Sequence, residues 1–167
     1  MFGLTPLGTI HTAIGLVALV AGAWALARDK AIVPGSTLGQ VFIWATVLTC
    51  LSGFPIFQRG GFGPPHVLGI VTLLVLGVAW GAPRWFGRAG PYVQTVALSF
   101  SFFLHFIPGT TETFTRVPAG APLFSGPEDP ALAKTIGVLF LIFVVGAALQ
   151  VRRMRARGRS GALPKLA

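Results

Sequence analysis

The chain has 167 residues, 53% of them hydrophobic and only 10% charged, with a mean hydropathy of +0.77. Soluble domains carry about a quarter charged residues, so a soluble enzyme is excluded and a multi-spanning membrane protein is expected. Its apolar stretches are continuous runs of Leu, Val, Ala and Phe that do not alternate, which excludes a closed β-barrel as well.

Five stretches approach the roughly 17 to 25 helical residues needed to cross a bilayer core, at about 7–27, 38–57, 66–82, 92–107 and 132–151. The first has no basic residue before it and ends in Arg28-Asp29-Lys30, so it reads as a retained span rather than a cleaved signal peptide. The second holds the single cysteine, Cys50, which rules out an intrachain disulfide and reads as a small packing residue. A tight turn over 59–65 delivers His66 into the third. The fourth is the shortest and is bracketed by Pro91 and Pro108. A Pro- and Gly-rich loop over 108–131 precedes the fifth, and ordered loops of that length often cover a site.

An odd number of spans puts the termini on opposite faces. Arg28, Lys30, Arg84, Arg88, Arg152, Arg153, Arg155, Arg157, Arg159 and Lys165 then share the C-terminal side, against Arg59, Arg116 and Lys134 on the other. Excess Lys and Arg mark the cytoplasmic side. The expected fold is therefore all-α: an integral membrane bundle of five transmembrane helices, a four-helix core plus a C-terminal span. Its N-terminus lies outside and its C-terminus in the cytoplasm of a bacterial inner-membrane protein. Residues 1–157 form one domain and 158–167 a frayed basic tail. The run Arg152–Arg159 reads as a stop-transfer anchor, which explains the net charge of +9 without a nucleic-acid partner.

The same counting brings His11, His66 and His105 to the outer end of the bundle, at nearly the same level. Ionisable side chains are expensive in hydrocarbon, so three together call for an explanation. On the first span Gly8, Gly15 and Gly22 recur every seven residues with Ala18 between, and His11 lies on that stripe of small residues. On the fourth, Gln94, Leu98, Ser101 and His105 share one face. His66, Gly69, Leu73 and Gly77 do so on the third, and Thr46, Cys50 and Gly53 on the second. His66 follows Pro65 directly, a position at the membrane interface. Glu112 stands seven residues after His105 and four before Arg116, so a helical turn would pair the two charges at the mouth of the cluster.

The strings Gly8-Thr9-Ile10-His11-Thr12-Ala13-Ile14-Gly15, Phe62-Gly63-Pro64-Pro65-His66 and Glu112-Thr113-Phe114-Thr115-Arg116-Val117-Pro118 together resemble a family of bacterial multi-spanning membrane proteins of unknown function. The resemblance covers about residues 8–118. It implies a four-helix core plus a fifth span and a shared site for His11, His66, Glu112 and Arg116, and it carries no activity. The chain departs from the family pattern at Thr37-Leu38-Gly39-Gln40, where many members have a His-Arg pair.

Two chemistries suit the cluster. His11, His66 and His105 with Glu112 suit zinc or copper, with Glu112 as a general base if an open coordination position activates water for a membrane hydrolase or oxidoreductase. Two of the histidines could instead be axial ligands of haem b in an electron-transfer cytochrome, with the helix glycines making room for the macrocycle. Arg116, Ser101 and Gln94 support the site in either case. A third reading needs no cofactor: an accessory or assembly subunit in which these residues fix helix packing or dock another membrane subunit or a second copy. Transport is disfavoured, because no charged residue lies near mid-span and no pair of broken helices is evident.

Overall fold

The structure, a computed structural model, describes residues 5–57 and 61–159. It is built from five α-helices: α1 (Pro6–Asp29), α2 (Thr37–Gly53), α3 (Pro64–Trp85), α4 (Gly90–Phe114) and α5 (Pro130–Arg159), with a 3-10 turn at Gly87–Ala89 between α3 and α4. No strand occurs among the described residues. Arg59 and Lys165 of the charge pattern, and residues 160–167 of the basic tail, lie outside the described residues.

Local chemistry sets the helix ends. The Thr5 side chain accepts the Gly8 N–H at 3.1 Å and Pro6 occupies the first turn, so α1 starts where a hydroxyl satisfies an orphan donor. It stops at Lys30, whose left-handed backbone (φ 61°) turns its N–H onto the Leu26 carbonyl. Ser36 caps α2 in the same way, accepting the Gly39 N–H at 3.1 Å.

Two sequence expectations change. The second span, expected to reach residue 57, ends at Gly53 because Pro55 supplies no helical N–H, leaving α2 with 17 residues. The fourth, expected to close at Pro108 as the shortest, runs straight through that proline to Phe114 and has 25 residues. Proline removes a single backbone bond, a loss that membrane helices tolerate when neighbouring helices and hydroxyls compensate. Beyond it the Thr111 hydroxyl donates to the Ile107 carbonyl at 2.8 Å and Thr115 to that of Thr111 at 2.7 Å, bonds that tighten the last turns rather than replace the one Pro108 removes from the Leu104 carbonyl. The long loop shrinks to residues 115–129 accordingly.

Four of the helices (α1, α3, α4 and α5) are long and apolar enough to cross a membrane, and α2 is a shorter apolar helix. α1 packs on α2, α2 on α3, α3 on α4 and α4 back on α1, which closes a four-helix ring. Ala18, Ala21, Ala25, Phe42, Ala45, Leu76, Ala79 and Leu98 fill its core, with Ile32 of the α1–α2 connection. α5 packs outside the ring against α4. Phe100 and Phe103 of α4 meet Phe140 and Phe143 of α5 with ring centroids 5.3–5.9 Å apart. At the far end the buried Gln150 accepts from the Ser99 hydroxyl at 2.9 Å and donates to the Lys30 carbonyl at 3.0 Å, tying α5 to α4 and to the end of α1.

Candidate functional site

The end of the ring opposite Gln150 carries the imidazoles. His11 of α1 crosses to the end of α2. Its Nδ1 lies 3.2 Å from the Ser52 Oγ, and its ring fills the space a Cβ at Gly53 would need, with Cε1 3.0 Å from that position. Gly53 is thus the residue that lets the ring lie flat on α2. His105 of α4 reaches the same face of α2 lower down, with Nε2 2.9 Å from the Thr46 Oγ1 and Phe42 edge-on at 6.0 Å. It is buried, as are Leu98 and Ser101 on its own face.

Hydroxyl bookkeeping assigns the ring protons. A hydroxyl has one hydrogen to donate. Thr46 gives its hydrogen to the Phe42 carbonyl at 2.7 Å, so it accepts from His105, whose Nε2 carries the proton. Ser52 gives its hydrogen to the Thr49 carbonyl at 3.1 Å, so it accepts from His11 Nδ1. Each neutral ring keeps one lone pair, on His11 Nε2 and on His105 Nδ1. The two rings lie within Coulombic range of one another.

His66 is different. The Gly63 N–H donates to its Nδ1 at 3.2 Å while the His66 N–H donates to the Gly63 carbonyl at 2.9 Å, a reciprocal cap on α3. With Nδ1 accepting, the proton of the neutral ring is on Nε2. Phe57 and Phe62 stack on the ring at 5.1 and 5.2 Å. The residue is 7% exposed, and its buried Nε2 has no hydrogen-bond partner among the described residues. In this arrangement His66 offers a donor, with no free lone pair for a metal.

Because α4 continues past Pro108, Glu112 does follow His105 onto the bundle end. It forms an ion pair with Arg116 and lies within Coulombic range of His11. The Glu112 side chain is about half exposed and Arg116 less so, so the pair stands at a mouth. Of the supporting residues, Gln94 lies toward the opposite end and donates to the Ala79 carbonyl at 2.9 Å, joining α4 to α3. Ser101 donates to the Leu98 carbonyl of its own helix.

The structure therefore turns His11, His105 and Glu112 toward the same end of the bundle and leaves His66 in an aromatic stack of its own. The single level read for three rings becomes a stagger. His11 docks on Thr49, Ser52 and Gly53 and His105 on Thr46, three to seven positions away, or about 5–10 Å at 1.5 Å per residue. Among the described residues, no three His, Cys, Asp or Glu side chains stand close enough to hold an ion between them. Ser52 and Thr49 were missed as partners of His11, although their hydroxyls at the end of an apolar helix were a visible signal. No family model, curated protein or solved structure matches the chain.

Proposed function

We propose that this is a five-span protein of the bacterial inner membrane that binds a transition metal, zinc or copper, between His11 and His105. Glu112, paired with Arg116 at the mouth, is the carboxylate that would have to close on the two rings to become a third donor. The carrying observation is the pair of protonation states. Thr46 and Ser52 commit their hydrogens to helix carbonyls, so each imidazole donates one N–H and presents one lone pair. Metal-ligating histidines hold that arrangement, since the outer N–H orients the ring and raises its basicity. Imidazole nitrogens suit zinc and copper, and a carboxylate oxygen completes a mixed set. An ion held there supplies Lewis-acid or redox chemistry. The chain's own residues orient two rings, hold one carboxylate by a guanidinium and pack Phe42 against His105.

Haem b fits less well. The space at Gly22 that would admit a macrocycle is occupied: a Cβ there would stand 2.6 Å from the Phe102 ring and 2.9 Å from Phe42.

The side of the membrane follows from charge. Arg28, Lys30, Arg84, Arg88, Arg152, Arg153, Arg155 and Arg157 lie toward the Gln150 end, while Arg116 and Lys134 lie toward the histidine end. That distribution supports a cytoplasmic Gln150 end and an extracytoplasmic site.

Elemental analysis of the detergent-purified protein tests the reading. About one metal per chain is expected, lost in His11→Ala and His105→Ala and retained in His66→Gln. Thr46→Val weakens metal affinity by roughly 10–100-fold, the usual effect of removing an outer partner. Metal content that is the same in all four variants overturns the proposal. A second reading, an accessory subunit, is favoured by the hydrogen bonds that already fasten His11 and His105 to α2. It requires a metal-free wild type that co-purifies with another membrane protein.

A further inference from the structure

His66 Nε2 is the one buried side-chain nitrogen or oxygen among the described residues with no hydrogen-bond partner. A buried donor left without an acceptor is costly, and the rest of the bundle avoids that cost. Thr46, Ser99, Ser101 and Gln150, all buried, are each partnered. The ring cannot rotate to escape. Its opposite edge is committed to the Gly63 N–H, and its faces are covered by Phe57 and Phe62. Both phenylalanines stack on the imidazole, with interplanar angles of 19° and 28°. Chain geometry thus holds an N–H in the plane of a ring stacked by two aromatic side chains, at the end of the bundle.

We propose that His66 is a binding site in which Nε2–H donates to a neutral carbonyl oxygen of a membrane-soluble ligand. Neutrality follows from the donor: the neutral imidazole has no charge to offset a buried anion, and its contacts among the described residues are Phe57, Phe62 and Gly63. Water fits poorly, because a buried water needs two to four polar partners and the ring's remaining edge offers one. A carbonyl needs only the one donor, and its apolar body can lie against Phe57 and Phe62. Those rings are 56% and 67% exposed while Nε2 itself is closed to solvent, so a ligand reaches it by displacing one of them. Two membrane constituents carry such an oxygen: a quinone ring and the acyl ester of a glycerolipid.

The test uses full-length protein labelled with 15N at histidine, in a detergent without carbonyl groups. A short-tailed benzoquinone and a short-chain diacyl phosphatidylcholine are titrated separately. The His66 Nε2–H resonance is expected to move downfield saturably with one probe or both, and the probe that moves it identifies the source. His66→Gln preserves the cap, since its side-chain carbonyl still accepts the Gly63 N–H, and removes the ring donor. It should bind the same probe about fivefold more weakly, the worth of one neutral hydrogen bond. Metal content in that variant stays at the wild-type value, which separates this result from the His11–His105 proposal. An Nε2 without a proton, or a resonance that neither probe moves, overturns the inference.

Discussion

α1 and α5 are both long apolar helices, yet α1 is an interior element and α5 a peripheral one. In their most apolar 18-residue windows 22% of α1 is buried and 6% of α5, although α5 is the more hydrophobic (window hydropathy 2.4 against 1.9). The buried residues of α1 are Gly8, Ala18, Ala21, Gly22 and Ala25. Those of α5 are few: Leu132 near its start and Gln150 near its end, while Val138, Leu141, Ile142 and Val145 face outward. Hydrophobicity does not choose the core of such a bundle, because lipid tails are as apolar as leucine. Close approach chooses it. A small residue lets the aromatic rings of α2 and α4 contact the α1 backbone, and that packing is what lipid cannot supply.

Enlarging the small face of α1 gives the largest expected effect. Gly22→Val puts its side chain into Phe102 and Phe42, and since both rings sit in a packed interior the overpacking should cost about 3 kcal/mol. Thermal unfolding in detergent, followed by circular dichroism, should show a clear drop in Tm. An unchanged Tm would mean that α1 does not enter the ring as closely as described.

Phe103→Ala strikes the other region. Phe103 contacts Phe100, Phe140 and Phe143, so its loss should weaken the α4–α5 seam by about 2 kcal/mol. Its signature differs from that of Gly22→Val: protease cleavage in the 115–129 loop should accelerate while the site metal is retained. Equal damage to metal content would show that α5 is structurally continuous with the ring.

The smallest effect is at the start of α5. Asp129 accepts from the Ser125 backbone and hydroxyl and from the Ala131 N–H, and those hydrogen bonds, the Ser125 backbone bond first, hold its carboxyl below the usual value of 3.8. A depressed folded-state pKa contributes stability that is whole above the unfolded value and lost as pH falls through the folded one. Amide protection at Ala131 should therefore hold from neutrality to about pH 4 and fade below. Asp129→Ala should lack it throughout. A wild-type profile flat to well below pH 4 with the alanine variant equally protected would remove the cap from the account of α5.

Much of this was legible beforehand. Gly22 and Ala18 announce a close-packed face through their spacing, and both are buried. Cys50 is a buried free thiol, as a small packing residue should be. The spacing of His105 and Glu112 foretold their common helix, with Arg116 in the turn just beyond it, but Pro108 obscured it, because proline ends a helix only where nothing else holds the chain. Ser99, Gln150 and Lys30 gave no warning: their contact joins residues 51 and 120 positions apart. Phe57 and Phe62 were visible as aromatics beside a turn, but nothing in a linear string says that they stack on His66.

Composition and periodicity alone dictated an all-helical chain with apolar segments and small faces, since those properties depend on neighbours within a few residues along one helix. Which hydroxyl receives which imidazole proton, how far His11 stands above His105 and why His66 Nε2 is left without an acceptor were decided by packing. Those outcomes depend on the depth at which one helix meets another, and that depth is set by contacts between residues distant in the chain.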